Sequence, residues 1–465
     1  MAMELSTITD NIFMIMKKIL SLLALAIIAS CSTLTPSSDN ETLIKKFNSY
    51  DVTLSEVEKY AYAKYGNTKG SLIDIDALVR DSDTLGYVLN YGEGWEVLSG
   101  DKRCTPIMAK GDGYYHFDSL IPPQKIWFES ELEKIGAIKD GYGVQTKSGP
   151  SEGELFWQRI NAPTNLTKAE GDPEEDNQHW ELMEIIDWDY DVNTTGHLTQ
   201  TKWGQEDPWN QYCPIDPETN ISSVAGCWPV AVAQLLYHLH YNINKPSRTF
   251  SEYDYDTYEC ITPSLTIWDK MKRSLYDSDT TKKSEPSAVL IRWIGKEMNV
   301  NYGSYSTSGN INKFISFINN IPNLISGEHS ITYRINEYGE MLNDISHYLF
   351  NRRQPCLIRA HTNEFLGAPT GDGHTWLIDG YRRENYTYKY VYRWTSRTDN
   401  HLYEYGEIRE DFIEVQDKYI MMNWGWNGLE DNNLYSPNTY SDWIVIINQD
   451  TCNLKYGREV IYDFN

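Results

Sequence analysis

Apolar and polar residues recur with two different periods in the first third of the chain. In Leu54–Gly66 the apolar residues return at helical spacing, which places them on one face of a helix. In Gly86–Phe117 short β-rich runs are separated by glycine-containing turns, a pattern typical of an antiparallel meander. One helix and several antiparallel strands predict a small α+β unit, which we expect to span residues 40–142.

The later part of the chain, residues 196–465, shows the same two periods in a different order. Val230–Tyr241 contains no glycine or proline and predicts a buried helix, and Pro286–Asn310 begins with a second helical pattern. Helices come first and strands later, which favours an α+β domain over an alternating parallel sheet. Strand patterns lie within Met341–His361, Gly371–Tyr381 and Tyr419–Gly428.

The segment between these two units is acidic. Lys168–Asp191 carries a run of aspartate and glutamate, and such runs are usually solvated linkers. Exposed polar segments are also where proteolytic nicking concentrates. We therefore expect residues 143–195 to be an acidic linker that contains a processing site.

The N-terminal residues have the pattern of an export signal. Met16–Lys18 is basic, and Ile19–Ala29 is an apolar run of signal-peptide length that is too short to span a bilayer. Small residues precede Cys31, which resembles the lipobox of bacterial lipoproteins. We expect residues 1–31 to be a signal peptide, with Cys31 lipidated as a membrane tether, in an exported outer-membrane lipoprotein that is periplasmic or displayed on the cell surface. The alternative is a plain secretory signal that happens to contain a cysteine.

Charge and cysteine spacing narrow the classes of function. The formal net charge is -25 and the pI is about 4.8, so the surface repels phosphate and nucleic acid is not expected as a partner. The seven cysteines are far apart and form no CxxC pair, which argues against a zinc knuckle or a thioredoxin-type site. The spacing does not indicate a disulfide framework, and pairing stays open.

Cys227 has the sequence environment of a reactive thiol. It follows Gly226 and precedes the apolar helix, with Pro229 in the first turn. The N–H groups and dipole of a helix N-terminus favour a thiolate, which is the species that attacks carbonyl carbons. Composition alone would instead favour a buried, inert cysteine.

A nucleophilic cysteine needs a base, an oxyanion donor and a group that orients the base. His374 follows a glycine-rich turn and opens an apolar strand, so it is the candidate base, and His361 competes for that role. Gln205 offers an amide donor upstream of the cysteine. Asn423 and Trp424 could orient and shield the imidazole. His238 and His240 are two residues apart on a helix and make a poor metal pair.

The order glutamine, cysteine, histidine, asparagine–tryptophan resembles the streptopain family of papain-like cysteine peptidases. The resemblance covers most of residues 197–430, and Gly86–Gly113 is similar to the inhibitory propeptide of that family. The resemblance to the peptidase domain is carried by KWGQEDPWNQYCP, AGCWPVAVAQLLYH, GHTWLIDGY and NWGWNG.

The resemblance implies a papain-like domain over residues 196–465, with a helical part and an antiparallel β part, behind a propeptide domain over residues 40–142. It implies a secreted cysteine endopeptidase made as a zymogen, with protein or peptide substrates, its own propeptide as inhibitor, and no cofactor or metal. The implied site consists of Cys227 as nucleophile, His374 as base and acid, Gln205 and the Cys227 N–H as oxyanion donors, and Trp424 with Asn423 as orienting groups.

Three departures from the family pattern and two alternatives remain. Trp228 follows the cysteine, where small or aliphatic residues are usual. Residues 382–417 are an extra segment, which fits either a hairpin over the cleft or an outlying insertion. The segment after NWGWNG is short, so glycine-rich loops that shape the cleft elsewhere in the family are expected to be missing. One alternative function is a catalytically silent binding or inhibitor protein on the same fold, although intact Cys227, His374 and Gln205 argue against it. The other is a peptidoglycan-cutting amidase, which also uses a cysteine–histidine pair, but such domains are much shorter and have no role for the NWGW element.

Overall fold

In the computed structural model, the residues from Asp51 onward that are described form one compact unit. The predicted signal peptide and Cys31 lie outside the described residues. No helix in the described part of the chain is long and apolar enough to cross a membrane. The described residues are 50–66, 72–161 apart from 81, 93, 142–143 and 147–149, then 178–242, 252–254, 259–262, 266–309, 313, 316–317, 332–335, 340–365, 368–398, 401–436, 444–446 and 459–462.

Four of the described helices begin where the local sequence provides a capping box or a proline in the first turn. Thr53 accepts a hydrogen bond from the Glu56 N–H, and Glu56 accepts one from the Thr53 N–H, which is the capping box that starts the helix Leu54–Tyr65. Ser151 and Glu154 make the same box before the helix Glu152–Ile160. The helices are α1 (Leu54–Tyr65), α2 (Pro122–Lys139), α3 (Glu152–Ile160), α4 (Cys227–Asn242), α5 (Thr266–Lys270), α6 (Glu285–Glu297) and α7 (Glu340–Phe350).

The strands are short in the N-terminal region and include three long ones later. They are β1 (Leu72–Arg80), β2 (Asp83–Tyr91), β3 (Gly94–Ser99), β4 (Ile107–Asp112), β5 (Val144–Thr146), β6 (Gln178–Thr194), β7 (Ile215–Asp216), β8 (Ile221–Ser222), β9 (Glu252–Asp254), β10 (Glu259–Thr262), β11 (Thr332–Ile335), β12 (Cys356–Phe365), β13 (Ala368–Thr398), β14 (His401–Asn423), β15 (Leu434–Tyr435), β16 (Ile444–Ile446) and β17 (Glu459–Tyr462).

One antiparallel sheet joins the N-terminal meander to the C-terminal strands. Its order is β1-β2-β3-β4-β15-β14-β13-β12-β17-β11, and β6 pairs with β13 beside this path. The junction is β4 against β15, where Ala109 pairs with Tyr435 and Lys110 with Leu434. Helices lie against an antiparallel sheet rather than alternating with parallel strands, so the predicted α+β class is confirmed. The predicted domain boundaries at 40–142 and 196–465 stay predictions.

The acidic segment differs from the solvated linker that its charge predicts. Within 143–195, Glu152–Ile160 is helix α3 and Gln178–Thr194 is strand β6. Strand β6 pairs along β13, from Arg382 opposite Thr194 to Ser396 opposite Gln178. Leu182 and Ile185 of this strand are buried, whereas Trp188 and Tyr190 are exposed together with the acids beside them. Charge count alone missed the strand and its buried positions.

The extra segment, residues 382–417, forms the far part of a long β13–β14 hairpin. Its inner face carries Tyr390 and Tyr392, which are buried with Leu182 and Ile185 of β6. The same cluster contains Tyr60 of α1, so the hairpin packs against the N-terminal region. The segment is thus a hairpin, as the first interpretation predicts, and it packs on the N-terminal region, as the outlying insertion of the second predicts.

Two further cores position the functional residues. One surrounds α4 and α6 and includes Cys227, Trp228, Leu357 and Leu377. The other lies on the opposite side of the sheet and contains Trp127 of α2. The second core also contains Trp376 and Trp424, which contact the predicted base, and Trp426 packs against this core.

Candidate active site

Cys227 is the first residue of α4 and is largely buried. Gly226 before it has φ +92, a left-handed conformation that L side chains rarely adopt, and the backbone turns there into the helix. A Cβ on Gly226 would lie 2.7 Å from Thr307 Cγ2. The first N–H groups of a helix lack acceptors within the helix, so the thiol lies in a field that favours its anion.

Helix α4 packs across β12 and β13. Leu357 and Leu377, one from each strand, share the core that contains Cys227. His374 lies three residues before Leu377 on β13 and pairs with Ala360 of β12. The cysteine and the predicted base are therefore carried by elements that pack directly on each other.

His374 is held by one hydrogen bond and two indoles. Its Nε2 lies 2.9 Å from the carbonyl oxygen of Trp424. The ring stacks on Trp376 with centroids 5.9 Å apart and meets Trp426 edge-on at 6.0 Å. A carbonyl oxygen only accepts, so Nε2 must carry the proton and Nδ1 of the neutral ring is left with the lone pair.

Burial controls the charge of this imidazole. It lowers the pKa of His374 to about 4, although the hydrogen bond to the Trp424 carbonyl acts in the opposite direction. Near neutral pH the ring is therefore uncharged, and Nδ1 can accept a proton.

The backbone of Gln205 is hydrogen-bonded to the segment that leads into Cys227. The backbone carbonyl oxygen of Gln205 accepts a hydrogen bond of 2.8 Å from the N–H of Ala225, two residues before Cys227. The residue is half-buried. This bond fixes the loop that carries the amide against the segment that leads into α4.

Trp424 and Asn423 are both buried, but only Trp424 is hydrogen-bonded to His374 in the described structure. Trp424 contacts His374 through its carbonyl oxygen, while its indole packs on Trp376 at 5.1 Å. The hydrogen bonds of Asn423 in the described structure do not go to His374. They go to Thr199 Oγ1, the Thr201 carbonyl, the Gln234 amide and the Gly425 N–H.

Two buried polar residues that the sequence analysis did not single out contact this assembly. Gln234 of α4 is bonded to Asn423, and Asp431 Oδ1 accepts a hydrogen bond of 3.2 Å from the Trp424 N–H. The sequence contained one signal for Gln234, since it is the single polar residue in the apolar run Val230–Tyr237. Asp431 lies in a turn and has no such signal.

The competing histidines occupy other environments. His361 of β12 pairs with Gly373 of β13, and the side chain of His361 lies outside those that the structure describes. His238 is buried with its two ring nitrogens 2.9 Å from the carbonyl oxygens of Leu198 and Arg353. No group of metal-ligating side chains occurs within the described residues.

Trp228 is part of the core around α4, and no disulfide links the described cysteines. Trp228 is buried, and its indole lies against Gly309, so it supports the loop that precedes residue 310. Cys104, Cys213, Cys227 and Cys356 form no disulfide in the described part of the chain.

Comparison with known proteins gives a family match and several distant structural likenesses, including two to proteins of Prevotella intermedia. A model of the Peptidase C10 family matches residues 203–434. A prointerpain A fragment from Prevotella intermedia shares 15% identity with a TM-score of 0.48, over 85% of this chain and 98% of the fragment. Active interpain A cysteine protease from the same organism shares 16% identity with a TM-score of 0.35, over 58% of this chain and 94% of that protein. No curated protein matches the sequence.

The family match includes the residues singled out from sequence. It begins at Trp203, two residues before Gln205, and ends at Leu434, so Cys227, His374, Asn423 and Trp424 all lie inside it. The mixed helix and antiparallel sheet architecture agrees with a papain-like α+β peptidase domain. Through residues 203–434, the chain belongs to the peptidase C10 family, which is the streptopain family of cysteine peptidases.

Proposed function

We propose that the chain is the zymogen of an exported cysteine endopeptidase, in which Cys227 and His374 hydrolyse peptide bonds through an acyl-enzyme. Family membership supports the peptidase class. The observation that carries the mechanism is the hydrogen bond between His374 Nε2 and the Trp424 carbonyl, because it leaves Nδ1 as the proton acceptor.

In the first half of the reaction, Nδ1 of His374 takes the proton of the Cys227 thiol. The sulfur attacks the carbonyl carbon of the substrate, and the electron pair of the C=O bond moves to oxygen. The Gln205 side-chain amide and the Cys227 N–H would donate to that oxyanion. When the C–N bond breaks, the His374 imidazolium returns the proton to the leaving amine, and a thioester remains on Cys227.

In the second half, water replaces the amine. His374 Nδ1 removes a proton from water as its oxygen attacks the thioester carbon, and the same donors stabilise the second oxyanion. Collapse breaks the C–S bond and releases the carboxylic acid, and the imidazolium gives its proton back to sulfur. The Trp424 carbonyl would keep its hydrogen bond to the Nε2–H of His374 throughout. Asn423 would act indirectly, through its hydrogen bond with the Gly425 N–H.

Casein hydrolysis under reducing conditions tests the proposal. Wild-type chain lacking residues 1–31 should shorten with time and gain activity, whereas Cys227→Ala should do neither. Cys356→Ala is the matched control, because Cys356 is also a buried cysteine but lies on a strand, β12, rather than at a helix N-terminus. If the wild type stays inactive after an added protease has cut it, the proposed peptidase activity is wrong.

The N-terminal region is proposed to act as the inhibitory propeptide. Strand β4 pairs with β15, and Gln124 of α2 donates a hydrogen bond of 2.9 Å to the Tyr435 hydroxyl. Tyr435 in turn packs edge-on against Trp424 at 5.4 Å. These contacts support a propeptide that is built into the sheet beside the imidazole-holding residue. Equal iodoacetamide reactivity of Cys227 in the uncut and processed proteins would contradict this role.

Export and lipid anchoring are proposed from the N-terminal sequence alone. The Cys31 sulfur would carry the lipid, cleavage before Cys31 would make it the N-terminal residue, and a lipid chain adds membrane affinity. Expression in a bacterium fed a labelled fatty acid should label the wild type and not Cys31→Ser. An unlabelled wild type in the soluble fraction would instead indicate a plain secretory signal.

A further inference from the structure

Gln234 is an amide where α4 is otherwise apolar. It lies two helical turns after Cys227, so both residues share one side of the helix. The side chain is fully buried. Burying an amide is unfavourable unless its donors and acceptor are satisfied, so the partners of this side chain indicate what it does.

The first partner is Asn423 at the end of β14. Gln234 Nε2 donates to Asn423 Oδ1 at 3.0 Å, and Asn423 Nδ2 donates back to Gln234 Oε1 at 3.2 Å. This reciprocal pair of amides fixes the helix of the nucleophile to the strand end that precedes Trp424.

Asn423 passes this restraint to the peptide that holds the imidazole. Its Oδ1 also accepts a hydrogen bond of 3.2 Å from the N–H of Gly425. That N–H belongs to the same planar peptide unit as the carbonyl of Trp424, to which His374 Nε2 is bonded. The plane of this peptide therefore sets the direction of the acceptor for His374.

The second partner is the segment of the predicted oxyanion donor. Gln234 Oε1 accepts a hydrogen bond of 3.0 Å from the Trp203 N–H. Gln205 follows two residues later, and its carbonyl returns to the Ala225 N–H before Cys227. The Gln234 side chain thus links the helix that carries Cys227 to the loop that carries Gln205 and to the strand end next to Trp424, whose carbonyl holds His374.

We propose that Gln234 is a positioning residue for catalysis, which sets the mutual register of Cys227, Gln205 and His374 through its bonds to Trp203 and Asn423. The inference rests on the proposed peptidase function and deepens it. Gln234 touches neither substrate nor reacting atoms, so its effect is on geometry. Small errors in such geometry are costly, since a displacement of about 1 Å can reduce a rate by roughly a hundredfold.

Two variants of Gln234 separate positioning from packing. Gln234→Leu keeps the approximate volume and removes every hydrogen bond. Gln234→Glu retains the acceptor but, when ionised, loses the donor to Asn423 Oδ1. When protonated, the carboxylic acid again has one donor and one acceptor in the places of the amide. Gln354→Leu is the matched control, because Gln354 is also buried and its Nε2 has no hydrogen-bond partner in the described structure.

Processed enzyme would be assayed with a peptide substrate, and kcat expressed per folded molecule from thermal unfolding of the same samples. We expect Gln234→Leu to lower kcat about tenfold to a hundredfold with little change in KM, and Gln354→Leu to leave kcat unchanged. Gln234→Glu should be impaired at pH 8 and approach wild-type kcat as the pH is lowered towards 5. This recovery is a readout that a purely structural role would not produce.

The outcomes are distinguishable. Wild-type kcat per folded molecule in Gln234→Leu, or a constant ratio of Gln234→Glu to wild type across pH, would overturn the inference and leave the peptidase function intact. If Gln234→Leu fails to fold, the pH series of Gln234→Glu decides. An inactive wild type contradicts the proposed function itself.

Discussion

At the residue scale, both the backbone conformation of Gly226 and its contact with Thr307 restrict this position to glycine. Its φ of +92 is accessible to glycine at little cost, and a Cβ there would press on Thr307. Thr307 in turn donates a hydrogen bond of 2.7 Å to the Val224 carbonyl, which ties the loop around residue 307 to the approach to Cys227. Gly226 therefore protects the shape of the site beside the nucleophile.

Gly226→Ala should lower both stability and activity. Left-handed backbone strain costs about 1–3 kcal/mol, and displacement of Thr307 adds to it. Urea unfolding and casein hydrolysis measure the two effects. Gly113→Ala is the control, because Gly113 also has a positive φ (+79) but no atom lies within 4 Å of its Cβ position. Equal losses of stability in the two variants would show that the contact with Thr307 is unimportant.

Asp431 is a buried acid with an unusual protonation range. Burial raises its pKa to about 7, Asp379 acts in the same direction, and the Trp424 N–H, His197 and Lys202 oppose the shift. The folded protein thus holds a proton that the unfolded chain, with an aspartate pKa near 3.9, has released. Stability is therefore lost as the pH rises from about 4 through 7.

Asp431→Asn should remove this pH dependence, because the amide keeps an acceptor for the Trp424 N–H and cannot ionise. In the Cys227→Ala background, which prevents self-digestion, its unfolding free energy should gain on the parent by at most about 1.4 kcal/mol per pH unit between pH 4 and 7. Urea unfolding at three pH values tests this. Asp112→Asn, at an exposed position, should follow the parent at each pH.

At the element scale, strand β6 restricts where in residues 143–195 a processing site can lie if the mature enzyme is to stay stable. The strand pairs with β13 over its whole length and buries Leu182 and Ile185 against Tyr390 and Tyr392. Removal of β6 would expose both an unpaired strand edge and apolar surface. A stable mature enzyme should therefore retain it.

We expect self-processing to cut between Ile160 and Gln178, after α3 and before β6. N-terminal sequencing of the mature protein gives the position directly. Cys227→Ala cut by added wild-type enzyme should yield the same N-terminus, which separates site preference from the act of self-cleavage. A stable, active product that begins after Thr194 would contradict the prediction.

At the scale of the whole molecule, an ion pair fastens the N-terminal region to the long hairpin. Lys110 Nζ of β4 lies 2.5 Å from Glu384 Oε2 of β13, and Arg382 contacts the other carboxylate oxygen at 2.6 Å. Burial acts to raise the pKa of Glu384, but Lys110, Tyr386 and Arg382 outweigh it and the net pKa is lowered. The pair therefore stabilises the closed molecule above the ordinary glutamate pKa and weakens in acid.

Glu384→Gln should loosen this contact at neutral pH and leave the half-buried Lys110 without its carboxylate partner. The rate of iodoacetamide reaction with Cys227 in the uncut chain should rise at least about tenfold over the wild type at neutral pH. In acid the Cys227 thiolate is protonated and both rates fall, but the ratio of the variant rate to the wild-type rate should decrease towards one, because Glu384 is then neutral in the wild type as well. Glu410→Gln removes a half-exposed partner of Lys389 on the same hairpin and should have little effect. An unchanged rate in Glu384→Gln would mean that this ion pair does not restrain the propeptide.

The sequence by itself determined the local features. Gly226 before Cys227, the apolar helix behind it, the capping boxes and the strand after His374 all follow from neighbouring residues, because dihedral preferences, caps and periodicity act over a few positions. The order of motifs was enough to predict the family. Only the tertiary structure decided that β6 pairs with residues about two hundred positions later, and that Asn423 reaches His374 through a peptide plane rather than directly. Such partners depend on which surfaces meet after the chain closes long loops, and no local pattern encodes that choice.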